Sequence, residues 1–294
     1  MTDPLRAKFL PVTTILLGIV VGWYVLAVFM NAPFQRDLDR RAGEPPRIVV
    51  DFVEKTLSQP KPIVPAPHQV AQNFFENTFL RKITSNRSLV YHAGVTLAST
   101  MLGFAFGTAL GILIAVGIVH VLALDRSLMP WIIASQTIPI LAIAPMIIVV
   151  LAAIGITGLL PKALISTYLS FFPVAVGMVK GLRSPEIMHL DLMHTYNASP
   201  SQTFWKLRVP ASVPFLFASM KVAVAASLVG AIVGELPTGA VAGIGAKLLN
   251  ASYFSNTIDM WAALVAGSVV ALLLVGLVGF AGRIVDRAMG ARPA

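Results

Sequence analysis

Long apolar runs recur along this chain, and they constrain its fold more than any other feature. A helix that crosses a bilayer core needs about 20 mostly apolar residues. Continuous runs of that kind extend from about Phe9 to Met30, Tyr91 to Leu122, Pro161 to Val179, Phe215 to Val233 and Met260 to Phe280. A further apolar stretch, from about Pro130 to Leu160, is interrupted by Gln136, Pro139, Pro145, Gly155 and Gly158. Broken helices are tolerated at membrane depth only inside protein or along a cavity. The pattern predicts an all-α, polytopic membrane protein with about six transmembrane helices.

Composition agrees. Only 12% of the residues are charged, against roughly 25% in a soluble domain, and mean hydropathy is +0.81. The net charge of +9 can signal nucleic acid, but here the basic residues border apolar segments and form no basic, aromatic-rich face. Membrane proteins carry such cations beside the cytoplasmic leaflet. Cysteine is absent, which excludes disulfides and thiolate metal sites. The first apolar run is too long for a signal-peptide core and lacks a clear cleavage site, so it reads as a retained helix.

Three regions follow. Residues 1–30 form an N-terminal transmembrane helix. Residues 31–89 form an extended external loop with an interfacial segment, broken by Pro45, Pro46, Pro60, Pro62, Pro65 and Pro67. That loop carries nine Lys/Arg and six acids, and long segments translocate largely regardless of charge. Within it, Val70 to Phe79 is patterned as a short amphipathic helix. Residues 90–289 hold the remaining spans.

In the second span Ser99, Gly103, Gly107, Gly111 and Ala115 recur every fourth residue. This small-residue stripe lets another backbone approach closely. Packing within the chain and a homodimer contact both satisfy it.

Orientation comes from charge. Outside the long loop, one side holds Arg6, Lys8, Arg126, Lys180, Arg183, Lys206, Arg208, Arg283, Arg287 and Arg292, while the two short opposite loops hold only Lys162 and Lys247. The polar stretch Gly181–Pro214 is therefore expected to be cytoplasmic, with both termini. Helix connections typically run about 2–8 residues, so a stretch this long, helically patterned and ending on Pro210 and Pro214, is built to touch something.

Catalytic signatures are missing. No GxxxxGK[ST] phosphate loop occurs, and Gly243 to Lys247 has neither its spacing nor its hydroxyl. His68, His92, His120, His189 and His194 include no i,i+4 pair, and no G-x-S-x-G elbow is present. A transport subunit that borrows its energy fits best. A secondary transporter predicts repeated halves and buried ionisable groups; no repeat is evident, and Lys221 is the clear ionisable group within a span. A membrane-embedded enzyme or scaffold predicts clustered reactive polar groups in the spans, and these are few.

The stretch DLMHTYNASPSQTFWKLRVPASVP, from Asp191 to Pro214, resembles the EAA loop of binding-protein-dependent ABC importer permeases. Asp191 stands where the acid stands, Asn197-Ala198-Ser199 stands for Gly-Ala-Ser, and Phe204, Leu207, Val209, Pro210, Ala211 and Pro214 match the tail. Leu192 and Met193 replace two alanines, and Asn197 replaces the glycine, a substitution that a left-handed turn tolerates. Further likeness to the sulfonate, taurine, nitrate and pyrimidine-precursor branch lies in Pro65-Ala66-Pro67, Pro139 to Met146, Phe172-Pro173, and Gly234-Glu235 before Gly243-Ile244-Gly245.

The resemblance implies a MetI-like permease core in a bacterial inner membrane. It implies a coupling helix in loop 181–214 that seats in an ATPase subunit through Asp191, His194, Thr195, Asn197, Ala198, Ser199, Phe204 and Trp205. Asp191 can serve as a contact or as a helix cap, Phe204 and Trp205 as partner anchors or as packing on the membrane helices, and Trp205 also as an interfacial aromatic. The implied partners are two ATPase subunits, a periplasmic substrate-binding protein, a second permease copy and membrane lipid, with no nucleic acid. No cofactor or metal is expected on this chain, ATP belonging to the partner. Gln136, Pro139, Pro145, Phe171, Phe172 and Glu235 are candidates for lining the translocation path, each with packing as its alternative. For Glu235 the two readings are a gate and a structural role at the helix mouth. The scarcity of buried cations argues against a permanent anion site, and the aromatic candidates lean toward a planar heterocycle.

Overall fold

The computed structural model describes residues 4–43, 49–237 and 240–290. Helices dominate and no strand occurs among them. The long helices are α1 (Pro4–Ala42), α4 (Leu89–His120), α7 (Leu159–Leu182), α10 (Val209–Glu235) and α12 (Thr257–Ala288). Shorter ones are α2 (Val49–Leu57), α3 (Pro67–Phe75), α5 (Leu122–Ser135), α6 (Ile140–Ala153), α8 (Ile187–Thr195), α9 (Pro200–Thr203) and α11 (Ile244–Tyr253). Five helical stretches are long and apolar enough to cross a membrane, and the bent pair α5–α6 makes a sixth candidate.

That pair turns by 98° at residues 136–139. Pro139 causes the break: it disfavours helix at the residue before it and sits at φ −68°, ψ 113° just ahead of α6. The last carbonyls of α5 are met by local hydroxyls. Ser135 Oγ donates to Ile132 O at 2.7 Å and Thr137 Oγ1 to Ala134 O at 2.7 Å. A broken helix at this depth needs such partners. Gly155 and Gly158, both at φ +80°, make the turn into α7, a conformation that glycine adopts freely.

By internal packing the chain forms two units, one of residues 91–246 and 267–294, the other of residues 1–90 and 247–266. In the first, α4, α7 and α10 pack closely. A Cβ on Gly103 would lie 2.7 Å from Ala163 O, and one on Gly111 2.8 Å from Phe171 O. The small-residue stripe of α4 is thus covered by α7 within the chain. Helix α7 packs as closely on α10: Gly181 meets Ser212 of α10, and Gly230 of α10 meets Ser166 of α7. Hydroxyls add cross-helix bonds: Thr167 and Ser170 to Gly103 O at 3.2 and 3.3 Å, and Ser227 to Thr100 O at 2.8 Å. Each is worth about 0.6 kcal/mol in a membrane, so close backbone packing carries most of the assembly. Ala115, Ile118, Ile132, Met178, Val179 and Leu182 form one buried cluster, and Phe104, Val174, Ala223, Val224 and Leu274 another.

The other unit shows where hydropathy ends a helix too early. The sequence predicts that the first helix stops at Met30; α1 continues through Pro33 to Ala42. Polar partners hold the extension. Asn31 Oδ1 accepts from Ile63 N at 2.8 Å and Val64 N at 3.0 Å, and its Nδ2 donates to Val64 O at 2.7 Å. Gln59 Nε2 donates to Gln35 Oε1 at 2.7 Å. The predicted loop therefore contains the end of α1, then α2 and α3, the last starting three residues before the stretch Val70 to Phe79 expected to be an amphipathic helix and overlapping it to Phe75. The loop prolines Pro45 and Pro46 lie outside the described residues. The start of α12 is tied into the same unit: Trp23 and Trp261 stack with centroids 4.9 Å apart, and Asn73 Nδ2 donates to Asp259 Oδ1 at 2.8 Å.

Candidate functional site

At one end of the larger unit, α7 stops at Leu182 and the chain makes a compact excursion before α10. Arg183 pairs with Asp125 at 2.9 Å, tying the end of α7 to α5. Arg208 Nη1 donates to Leu182 O at 3.2 Å, satisfying a carbonyl that the helix end leaves open. Helix α8 then runs to Thr195 and closes on Asn197, at φ 49°. Ala198 N donates to Met193 O at 3.0 Å and Asn197 N to His194 O at 2.9 Å. These two bonds define a Schellman cap, whose left-handed residue is usually glycine. Ser199 starts α9: its Oγ accepts from Gln202 N at 3.2 Å while its own N–H donates to Gln202 Oε1 at 2.9 Å, a reciprocal capping box. A π-helical turn, Phe204–Arg208, leads into α10.

The excursion is locally well ordered, yet its apolar side chains are open. Ile187 and Tyr196 are each 77% exposed, Leu192 51% and Trp205 65%. Asp191 is also exposed. Since α8 begins at Ile187, Asp191 lies a turn inside the helix and does not cap it; its carbonyl accepts from Thr195 Oγ1 at 2.9 Å. Phe204 behaves differently from Trp205: it is half-buried, packs on the cluster at Ala115 and meets the His120 ring edge-on at 4.8 Å. His194, Ala198 and Phe204 line one groove of about 450 Å³ with His120.

The predicted path residues do not form one site. Gln136 and Pro139 are exposed at the α5–α6 bend, and Pro145 is half-buried inside α6. Phe171 and Phe172 pack against the cluster at Ala115. Lys221 is exposed, with Cε 3.2 Å from where a Cβ of Gly279 would stand.

Glu235 is elsewhere, at the end of the unit opposite α8, and is 0% exposed. Thr96 Oγ1 lies 2.9 and 3.0 Å from its two carboxylate oxygens. Gly245 N donates to Oε2 at 2.8 Å, and Ile244 N to Thr96 Oγ1 at 2.8 Å. Gly243 N donates to His92 Nδ1 at 3.0 Å. Glycine is required at 243, where φ is +128° and a Cβ would fall within the Glu235 carboxyl. Glu235 thus draws the 243–245 backbone against α4. Thr96 and His92 escaped the sequence reading, because their partners lie some 140 residues away.

Beside this cluster opens a cavity of about 510 Å³. Tyr91 and Val95 of α4, Ile148 of α6, Thr157, Lys162 of α7 and Val241 contribute to its wall. Lys162, which the sequence assigns to a short external loop, is the fourth residue of α7 and only 8% exposed. The usable signal was Pro161 just before it, a residue tolerated in the first turn of a helix, where Lys162 follows it.

The comparisons place this geometry in a family. The profile of the binding-protein-dependent transport system inner membrane component matches residues 107–291. A probable ABC transporter permease protein of Haemophilus influenzae is 31% identical over 70% of this chain and 79% of its own length. The formylaminopyrimidine transport permease protein ThiX of Halalkalibacterium halodurans is 29% identical over 80% of this chain and 86% of its own. A chain of the methionine ABC transporter MetNI in an inward-facing conformation matches the fold with a TM-score of 0.50 at 18% identity, covering 76% of this chain and 96% of that one. The chain belongs to the family of binding-protein-dependent transport system inner membrane components. It is the membrane-spanning permease subunit of an ATP-driven ABC importer, a transport subunit.

Proposed function

We propose that loop 181–214 is the element through which this permease is coupled to a separate ATPase subunit. One observation carries the reading: α8 and the residue that follows it expose Ile187, Leu192 and Tyr196, with Trp205 beyond, on a segment held by the cap at Asn197 and by Arg183 and Arg208. A rigid helix joined closely to α7 and α10 transmits a movement of its socket to both spans. Leu192 and Trp205 are the apolar anchors; Asp191 and His194 supply polar contacts around them, and Thr195, Asn197, Ala198 and Ser199 hold the turn in shape. Phe204 fastens the loop to its own bundle.

In this reading the loop and both termini face the cytoplasm of a bacterial cell, and the membrane is the inner one. ATP binds and is hydrolysed on the partner, with no cofactor on this chain. A second permease copy completes the path, and a periplasmic binding protein delivers a small solute. The name of the formylaminopyrimidine relative supports a planar heterocycle as its class.

The test is co-purification from detergent of the cognate ATPase with the wild type and with an Asp191→Lys, Asn197→Pro variant. Loss of the ATPase from a variant that stays monodisperse supports the assignment. An ATPase that remains bound to that variant, or that never co-purifies with a monodisperse wild type, removes it.

A further inference from the structure

We infer that the 510 Å³ cavity beside Glu235 is a solute-anchoring site, and that Lys162 in its wall holds an anionic group on a small planar solute. The inference rests on the permease function of the family and is independent of the coupling-loop assignment.

Three observations carry it. The first is burial without a partner. Lys162 is 8% exposed, yet among the described residues it makes no hydrogen bond and no ion pair within 4.0 Å. Burying an ammonium without a hydrogen-bonding partner is costly. A lysine near the end of a span usually extends to the interface; this one is retained in the wall of a cavity. The second is charge. Lys162 acts on Glu235 electrostatically, but the carboxylate takes its close bonds from Thr96 and Gly245. The ammonium donors stay available. The third is shape and place. Among the described residues, Lys162 is the one charged member of a wall otherwise made mainly of apolar side chains such as Val95, Ile148 and Val241. A site with an apolar body and one convergent polar group is the usual design for a small-molecule pocket. Its elements all lie at one end of the unit, the end opposite α8.

The structure therefore revises the expectation that buried cations are too few for an anion site. The aromatic or heterocyclic ring lies against the apolar wall, and a carboxylate-type group accepts from Lys162 Nζ.

Nicotinate and nicotinamide differ in this group and little else, which makes them suitable probes. Their binding to the full-length protein in nanodiscs is measured by calorimetry. Wild type is expected to prefer nicotinate roughly tenfold, equivalent to about 1.4 kcal/mol. Lys162→Met should abolish the preference, and Lys162→Arg should restore most of it. Ala152→Phe, which fills the cavity from α6, should weaken both probes; it carries the test if Lys162→Met does not fold. Equal binding of the two probes to wild type, no binding of either, a preference that survives Lys162→Met, or undiminished binding of both probes to Ala152→Phe overturns the inference. A role for Lys162 in merely balancing Glu235 would lower the melting temperature of Lys162→Met without changing any preference. ATPase co-purification is not read here, so failure of this test leaves the coupling loop untouched.

Discussion

The two ends of the larger unit solve opposite problems. At α8, apolar side chains are left in the open and the backbone is satisfied locally, by caps only a few residues apart. At Glu235, polar side chains are buried and satisfied by groups far away in sequence: Thr96 lies 139 residues from Glu235, and His92 lies 151 from Gly243. The first arrangement suits a surface that waits for a partner. The second suits a joint that must stay closed. A buried carboxylate stripped of its donors is expensive, whereas an exposed leucine costs little until something covers it.

This contrast predicts that damage at one end is felt as lost stability and damage at the other as lost association. The largest effect belongs to Glu235→Ala. It leaves Gly245 N–H and Thr96 without their acceptor in a buried site, at about 3 kcal/mol. A thermal melt of the purified protein should drop clearly, and an unchanged melt would show that the joint is not structural. Next comes Leu192→Glu, which places a charge in the proposed apolar contact. ATPase affinity should fall by about 2 kcal/mol, near the size of an interface hot spot, with the melt unchanged; a lowered melt with intact affinity would reverse the contrast. Ser199→Ala removes the capping acceptor of α9 and is worth about 1 kcal/mol, visible as a modest loss of ATPase affinity. The smallest effect is expected of Asn197→Gly. Relief of the left-handed conformation, about 1 kcal/mol, is set against about 0.5–1 kcal/mol of added unfolded-chain entropy. Hydrogen exchange in α8 should barely move, while Asn197→Val should loosen it.

What was readable in the sequence follows the same division. The left-handed turn at Asn197 involves neighbours in the chain, so its residue type reveals it; the Ser199–Gln202 capping box is as local but emerged only in the structure. The α5–α6 break was visible because Pro139 acts on the residue beside it. The glycine stripe of α4 was visible as a stripe, but its partner was not, because both a second copy and α7 fit it. Helix α1 was predicted to end at Met30 since hydropathy falls there; Asn31 and Gln35 continue it through bonds to residues 24–33 positions away. Lys162 was misplaced for a related reason. A lysine in a short link between spans reads as solvated, and only the path of α7 against α10 buries it, with Lys162 Cα 3.3 Å from where a Cβ of Gly234 would stand.

The sequence by itself determined the class: apolar runs of spanning length leave only helices in lipid, because every backbone polar group there must be satisfied within its own segment. It also determined the local shape of the loop, since caps and turns depend on a few adjacent residues. Tertiary structure alone decided which small residues meet, that Glu235 closes on Thr96 and Gly245, and that Lys162 faces a cavity. Those outcomes depend on contacts between distant segments, whose identities a single chain's local pattern does not encode.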